Sequence, residues 1–268
     1  MNQTTEVNRT LRYALLAVFV SVPIANFGLE PLLSDGSQFA EDPQTRVAAA
    51  GYAFAIWGVI FTGMLWFSAN LAFGNEPDSS PLRKAVVCLM IAGVASIAFV
   101  PISIYCNFTV SWIDIMAHLV PLILAAFFLR KHAAELPTAS TSKLARWSFF
   151  GPSMYLGWIC AATVISTSLL GNEWGIKLSD PTATGLAIAT VVELGLVAIW
   201  MTWNRDPIYG ATVCWALIAV GVKQASFPAI QYAAWGTAIA IGLTVVHSFF
   251  IKRKSFYTLA LSVDDSGN

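Results

Sequence analysis

Charge is scarce in this chain. Only 11% of its 268 residues are Asp, Glu, Lys or Arg, and 15 basic residues balance 15 acidic ones to a formal net charge of zero. With no basic domain or Lys/Arg stripe to gather phosphates, the sequence offers no electrostatic case for nucleic acid. Cysteine is sparse too. Cys88, Cys106, Cys160 and Cys214 lie in or at the ends of apolar segments without metal-type spacing, so they read as small hydrophobes, not as a disulfide or zinc framework. Signatures of chemistry are missing as well: there is no nucleophile elbow, Walker loop, HExxH, CxxC or dinucleotide fingerprint. Residue order alone assembles no Ser, His and Asp constellation. The expectation is a protein with no catalytic residues and no metal site.

Apolar residues fill the space that charge leaves. They make up 57% of the chain, and the mean hydropathy is +0.67, which places it among polytopic membrane proteins. The pattern predicts an all-α membrane protein of about eight transmembrane helices. The first span is Leu11 to Leu33, longer than a signal-peptide core and not followed by an A-x-A site, so it reads as retained. The others are Val47 to Phe73, Leu82 to Tyr105, Trp112 to Leu129, Arg146 to Gly171, Thr182 to Trp203, Ile208 to about Ser226, and Ala229 to Ile251. Pro101 should kink the third. The GTAIAIG run should give the eighth its close helix contacts.

Charge tests the count of spans. Alternating the loops puts Arg9, Arg12, Arg83, Lys84, Arg130, Lys131, Lys143, Arg146, Arg205, Lys252, Arg253 and Lys254 on one side, and Arg46, Lys177 and Lys223 on the other. By the positive-inside rule this predicts both termini in the cytoplasm, in the cell membrane, with an even number of spans.

Two aromatic stripes supply the candidate site. In residues 50 to 67, AGYAFAIWGVIFTGMLWF, the residues Phe54, Trp57 and Phe61 fall at i, i+3 and i+7 and share one helix face near mid-depth. Trp ordinarily sits at a membrane interface where its N–H stays wet, so Trp57 needs a partner inside the bundle or a bound molecule. In the fifth span Tyr155, Trp158, Ala162 and Ser166 repeat the arrangement, with small residues beside the ring. If the two faces meet, they bracket an apolar slot for a flat hydrophobic molecule; the plainer alternative is that a neighbouring helix fills that space.

Ionisable groups at membrane depth are the other candidates, because each costs on the order of 2.5 to 3.5 kcal/mol at the bilayer centre on insertion scales. Glu193 stands at the centre of the sixth span. It reads either as a proton- or ion-coupling group or as a helix-to-helix hydrogen bond to Thr167 or Ser168. Asp114 and His118, at i and i+4, share a face near the non-cytoplasmic end of the fourth span and read as a titrating pair or a structural one. A metal site needs three or four ligands, and His132 and His247 fall near the opposite membrane side.

At these residues the sequence resembles the TspO/MBR family, the tryptophan-rich sensory proteins related to the translocator protein. That family's second helix carries a pattern close to W-x-F-G-P-V-W-T-x-L-Y, and Tyr52, Phe54, Ile56, Trp57 and Phe61 follow in similar order. The family's third helix ends in Asn followed shortly by Trp, as Asn107 and Trp112 do here. Its fifth helix is similar to P-Y-x-x-W-x-x-x-A-T-x-x-N, matched by Pro152, Tyr155, Trp158, Ala162 and Thr163, with Ser166 where Asn is expected. The Gly-Pro pair is absent. The resemblance covers residues 11 to 171; three further spans follow that compact members lack. It implies a five-helix bundle over 1–171, extended by three helices over 172–268. It also implies a hydrophobic small-molecule ligand, haem or another porphyrin or a sterol-like lipid, held by Tyr52, Phe54, Trp57, Phe61, Asn107, Trp112, Tyr155, Trp158 and Ala162. A homodimer with a sensory or transport-linked role would fit the family. Two alternatives stay open: a proton-coupled secondary transporter using Glu193, with Lys223 or the Asp114 and His118 pair as further coupling groups, and a scaffold subunit of a larger membrane complex.

Overall fold

The computed structural model describes residues 3–33, 45–135, 149–204 and 206–250. Eight long helices run through the described residues, which contain no strand. The first, α1 (Gln3–Ile24), passes through a π-helical turn at Ala25–Leu29 into a short helix at Glu30–Leu33. Then follow α2 (Ile56–Phe73), α3 (Ser80–Tyr105), α4 (Phe108–Glu135), α5 (Phe150–Glu173), α6 (Asp180–Trp203), α7 (Pro207–Lys223) and α8 (Pro228–Phe250). Seven of them are long and apolar enough to cross a bilayer. The exception is α7, whose 17 residues reach about 25 Å against a hydrocarbon core of about 30 Å. The protein is thus a multi-pass, all-α membrane protein, the class its hydropathy predicts.

Local chemistry sets most of the boundaries. Ser79 caps α3 by accepting the Leu82 amide, and Asp206 caps α7 by accepting the Tyr209 amide, each followed by a proline near the first helical turn. Asn107 Oδ1 accepts the Val110 amide at 3.1 Å, so α4 begins four residues before Trp112 and the expected connection shrinks to Cys106 and Asn107. Pro101 lies inside α3.

The largest departure from expectation is at 47–55. A continuous helix is expected there, yet the chain is irregular as far as Ala50 and makes a 3₁₀ turn at Gly51–Ala55 before α2 starts. The reason is that this backbone bonds to α7. The Ala50 amide donates to the Ala219 carbonyl, Gln224 Nε2 donates to the carbonyls of Thr45 and Ala48, and Trp215 Nε1 donates to that of Ala53. A propensity read from the run itself cannot anticipate partners so far along the chain.

Helix contacts place the aromatic stripes. Between α2 and α5 stand Gly63 and Gly151, where a Cβ on Gly63 would lie 2.9 Å from Gly151 Cα. At this crossing only glycine lets the backbones touch. Six residues further along α5, Gly157 receives α7, with Thr212 Cβ 3.1 Å from where a Cβ would be. The GTAIAIG run makes close contacts as expected, through Thr237, whose side chain lies against Gly195 of α6, and Ala238, which is buried and accepts from Cys214 of α7; its glycines, Gly236 and Gly242, meet nothing within 4 Å.

Candidate aromatic site between α2 and α5

Trp57 and Trp158 meet edge to face with ring centroids 6.2 Å apart. Around them Phe61 stacks on Trp57 at 5.2 Å, Tyr155 meets Trp57 at 5.8 Å, and Phe54 meets Trp158 at 5.6 Å. The antiparallel course of α2 and α5, fixed by the glycine crossing, brings the two stripes face to face. Phe61, Tyr155 and Trp158 are buried, Trp57 is half-buried, and Phe54 is 50% exposed. The rings pack on one another on the inner side, and the cluster is exposed at Phe54 and partly at Trp57, while Phe61 also meets the exposed Phe27.

Polar groups line the inner edge. His118 lies against Tyr155, with ring centroids 6.1 Å apart, and its Nδ1 is 2.8 Å from the Asp114 carbonyl oxygen. Tyr155 donates its hydroxyl to the Ala92 carbonyl at 3.2 Å. Asn26 reaches the same region by donating to the Ser96 carbonyl. Thr163 and Ser166 bond back to their own helix, so neither offers a free group to the cluster.

The remaining expected site residues lie elsewhere. Tyr52 packs edge to face on Trp215 of α7, not on the cluster. Asn107 is exposed and serves as the cap of α4. Trp112 Nε1 donates to Thr167 at 3.1 Å, tying α4 to α5. Ala162 is half-buried on α5. Glu193 is exposed on the outer face of α6, which packs chiefly on α7 and α8. The partners considered for it are committed within their own surroundings, Thr167 to Trp112 and Ser168 to the Val164 carbonyl.

At the end of the bundle where α1 begins lies a cluster that residue order did not reveal. His132, fully buried near the end of α4, has Nε2 3.1 Å from Glu76 Oε1 and Nδ1 2.7 Å from Ser79 Oγ. The tautomer that satisfies all three donates Nε2–H to the carboxylate and accepts the serine hydroxyl at Nδ1. Ser79 is therefore occupied on both sides, by His132 and by the Leu82 amide it caps. Arg12 closes the knot from α1, donating to the carbonyls of Glu76 at 2.8 Å and Leu71 at 3.2 Å. Beside it Asp206 receives Arg130 at 3.3 Å and Ser153 at 2.9 Å. Burial pushes the Asp206 carboxyl up from its ordinary range, against the Tyr209 amide, Arg130 and Ser153, which favour its charged form. These contacts fasten helices together at one membrane face.

On the opposite face Arg46 pairs with Asp180 and Thr184 and lies over the Phe227 ring at 4.5 Å. The two faces of the bundle are thus tied separately, with the aromatic cluster between them.

A family model described as TSPO-like protein matches residues 11–247, the three added helices included. No curated protein matches the chain, and no solved structure does.

Proposed function

The chain belongs to the TSPO-like protein family, and on that premise we propose that it is a membrane binding or sensory protein. Its ligand is a flat hydrophobic molecule, a tetrapyrrole or a sterol-like lipid, held against Trp57 and Trp158. The observation that carries the reading is the meeting of two tryptophans from separate helices, ringed by Phe54, Phe61 and Tyr155. Edge-to-face packing gives a planar guest ring faces to stack on. The guest enters past Phe54, where the cluster opens. Tyr52, Asn107 and Trp112 act at a distance by holding the segments that frame it.

In this reading residues 1–171 form the binding bundle and residues 172–268 brace it, because α7 holds the 45–55 backbone from which Phe54 projects. Both termini lie in the cytoplasm, on the side of the basic residues that α1, α3 and α4 carry. No step of catalysis is involved. The transport alternative draws no support from Glu193, which faces outward from the bundle.

The test is tryptophan fluorescence of the protein in mild detergent, titrated with protoporphyrin IX, for wild type, Trp57→Phe and Trp158→Phe. Saturable quenching that weakens several-fold in both variants is the expected result. Linear quenching indifferent to the substitutions would mean partition into detergent and would overturn the reading.

A further inference from the structure

Helices α3 and α4 carry matching exposed stripes. On α3 the exposed residues Lys84, Val87 and Ile91 recur at i, i+3 and i+7 and so form one line, with the lysine at the end nearer the start of the helix. On α4 the exposed residues Leu124, Phe127 and Lys131 do the same in the opposite order, again with the lysine outermost. Beneath each charge the line is apolar.

The two stripes lie side by side. Lys84 reaches across to α4, where its ammonium lies 5.5 Å from the centre of the Phe128 ring. Lys131 follows Phe128 by three residues on the same side of α4, a spacing that sets Cβ atoms about 5–6 Å apart. The levels agree as well. Measured from the turn at Cys106 and Asn107, the antiparallel helices carry Lys84 and Lys131 about 33 and 36 Å away, back along α3 and onward along α4. Two ammonium groups therefore stand at one membrane face, on neighbouring helices, beside one ring. Among the side chains described, neither has a carboxylate partner: the acidic groups at this face are taken, Asp78 by Arg83, Asp206 by Arg130 and Glu76 by His132. Like charges set close together call for an anion between them.

We propose that this face holds one anionic phospholipid, its phosphate between the Lys84 and Lys131 ammonium groups and its acyl chains along Val87 and Ile91 on one helix and Leu124 and Phe127 on the other. The site is separate from the aromatic cluster and does not depend on what that cluster binds. The stripes favour a lipid over a free phosphate, because each continues about 10 Å below its lysine and only a molecule with chains uses that length. The lysines favour a headgroup of net negative charge. Each ammonium offers three donors to phosphate oxygens, whereas a choline headgroup would bring a third cation to the pair.

The experiment is native mass spectrometry of the full chain in mild detergent, titrated with phosphatidylglycerol and with phosphatidylcholine of the same acyl chains. Wild type should hold phosphatidylglycerol about thirtyfold more tightly, the factor that about 1 kcal/mol from each of two lysines gives. Lys84→Gln and Lys131→Gln should each cut the preference to about fivefold, and the double variant should lose it. Arg9→Gln, which removes another exposed charge at this face, should leave it unchanged. Equal affinities in wild type would overturn the site, and that comparison needs no variant to fold. A loss in Arg9→Gln as large as in Lys84→Gln would overturn it too, replacing a site with the diffuse attraction of a basic face. Displacement of phosphatidylglycerol by millimolar inorganic phosphate would show the stripes to be idle and would sink the lipid as occupant. A lipid-free dimer that survives excess phosphatidylglycerol would do the same, by making this face a contact between copies.

Discussion

The aromatic cluster and the His132 knot join the same bundle by different means. The cluster is held by edge-to-face rings, each pair adding about 0.5–1.5 kcal/mol beyond its buried area and tolerating small shifts. The knot is held by buried, directional bonds, in which Glu76, His132, Ser79 and Arg12 each satisfy another. Losing His132 takes a bond from both Glu76 and Ser79. The difference suits a bundle that must hold its helices in place yet part its rings around a guest. Rigidity sits in the polar knot, and adaptability sits among the rings.

Between the two regions lies the Gly63–Gly151 crossing, and breaking it should have the largest effect. A Cβ at Gly151 would overlap the Gly63 carbonyl and lie 2.7 Å from the Met64 amide nitrogen. No flexible side chain is there to yield. Gly151→Leu should therefore cost more than about 3 kcal/mol, since overpacking against backbone exceeds the usual core penalty. It should also separate Trp57 from Trp158. The check is thermal unfolding in detergent followed by tryptophan emission; an unchanged midpoint would mean that the helices do not approach as closely as the crossing implies.

The knot comes next. His132→Leu removes both ring contacts and leaves the Glu76 carboxylate buried without its partner, so a loss of about 3 kcal/mol is expected. Trp57→Phe, which keeps an aromatic ring in the cluster, should cost about 1 kcal/mol. Measuring the two side by side sharpens the comparison directly. If the tryptophan variant proved the more costly, the cluster would be the scaffold and the knot an accessory.

How much of this could be read from the sequence follows from where each partner lies. Trp57 and Phe61, or Tyr155 and Trp158, declare their shared face by helical spacing alone, and hydropathy marks the spans around them. Whether the two stripes meet stays conditional at the level of sequence, because spacing does not name the neighbour of a helix face. The knot is different. His132 lies 56 residues from Glu76 and 53 from Ser79, and nothing local marks His132 as a partner rather than the last group of a basic helix end. The serine does carry a signal, because a Ser-Ser-Pro sequence after a turn announces a helix cap, but a cap does not announce its histidine. Gly63 and Gly151 are likewise invisible as a pair, since a glycine within a membrane helix does not name the surface it meets. At 47–55 the local signal misleads: an apolar run reads as helix, while α7 supplies the hydrogen bonds that hold it out of one.

The smallest effect expected is at Glu193, and its sign separates inward-facing from outward-facing polar groups. Asp114 is enclosed, with His118 of the same helix beside it; Glu193 is exposed on α6. A carboxyl turned toward lipid is a burden that its own protonation reduces but does not remove. Glu193→Leu in a reconstituted bilayer should accordingly raise stability by about 1 kcal/mol and leave the binding of protoporphyrin IX as it was. A loss of stability would show that the carboxyl has a partner, such as a second copy of the chain or another membrane subunit, and would point to the outer face of α6 as its docking surface. Uptake in proteoliposomes that follows a proton gradient and vanishes in Glu193→Gln would go further, because it would give the outward carboxyl a coupling role and make the aromatic cluster one station on a route.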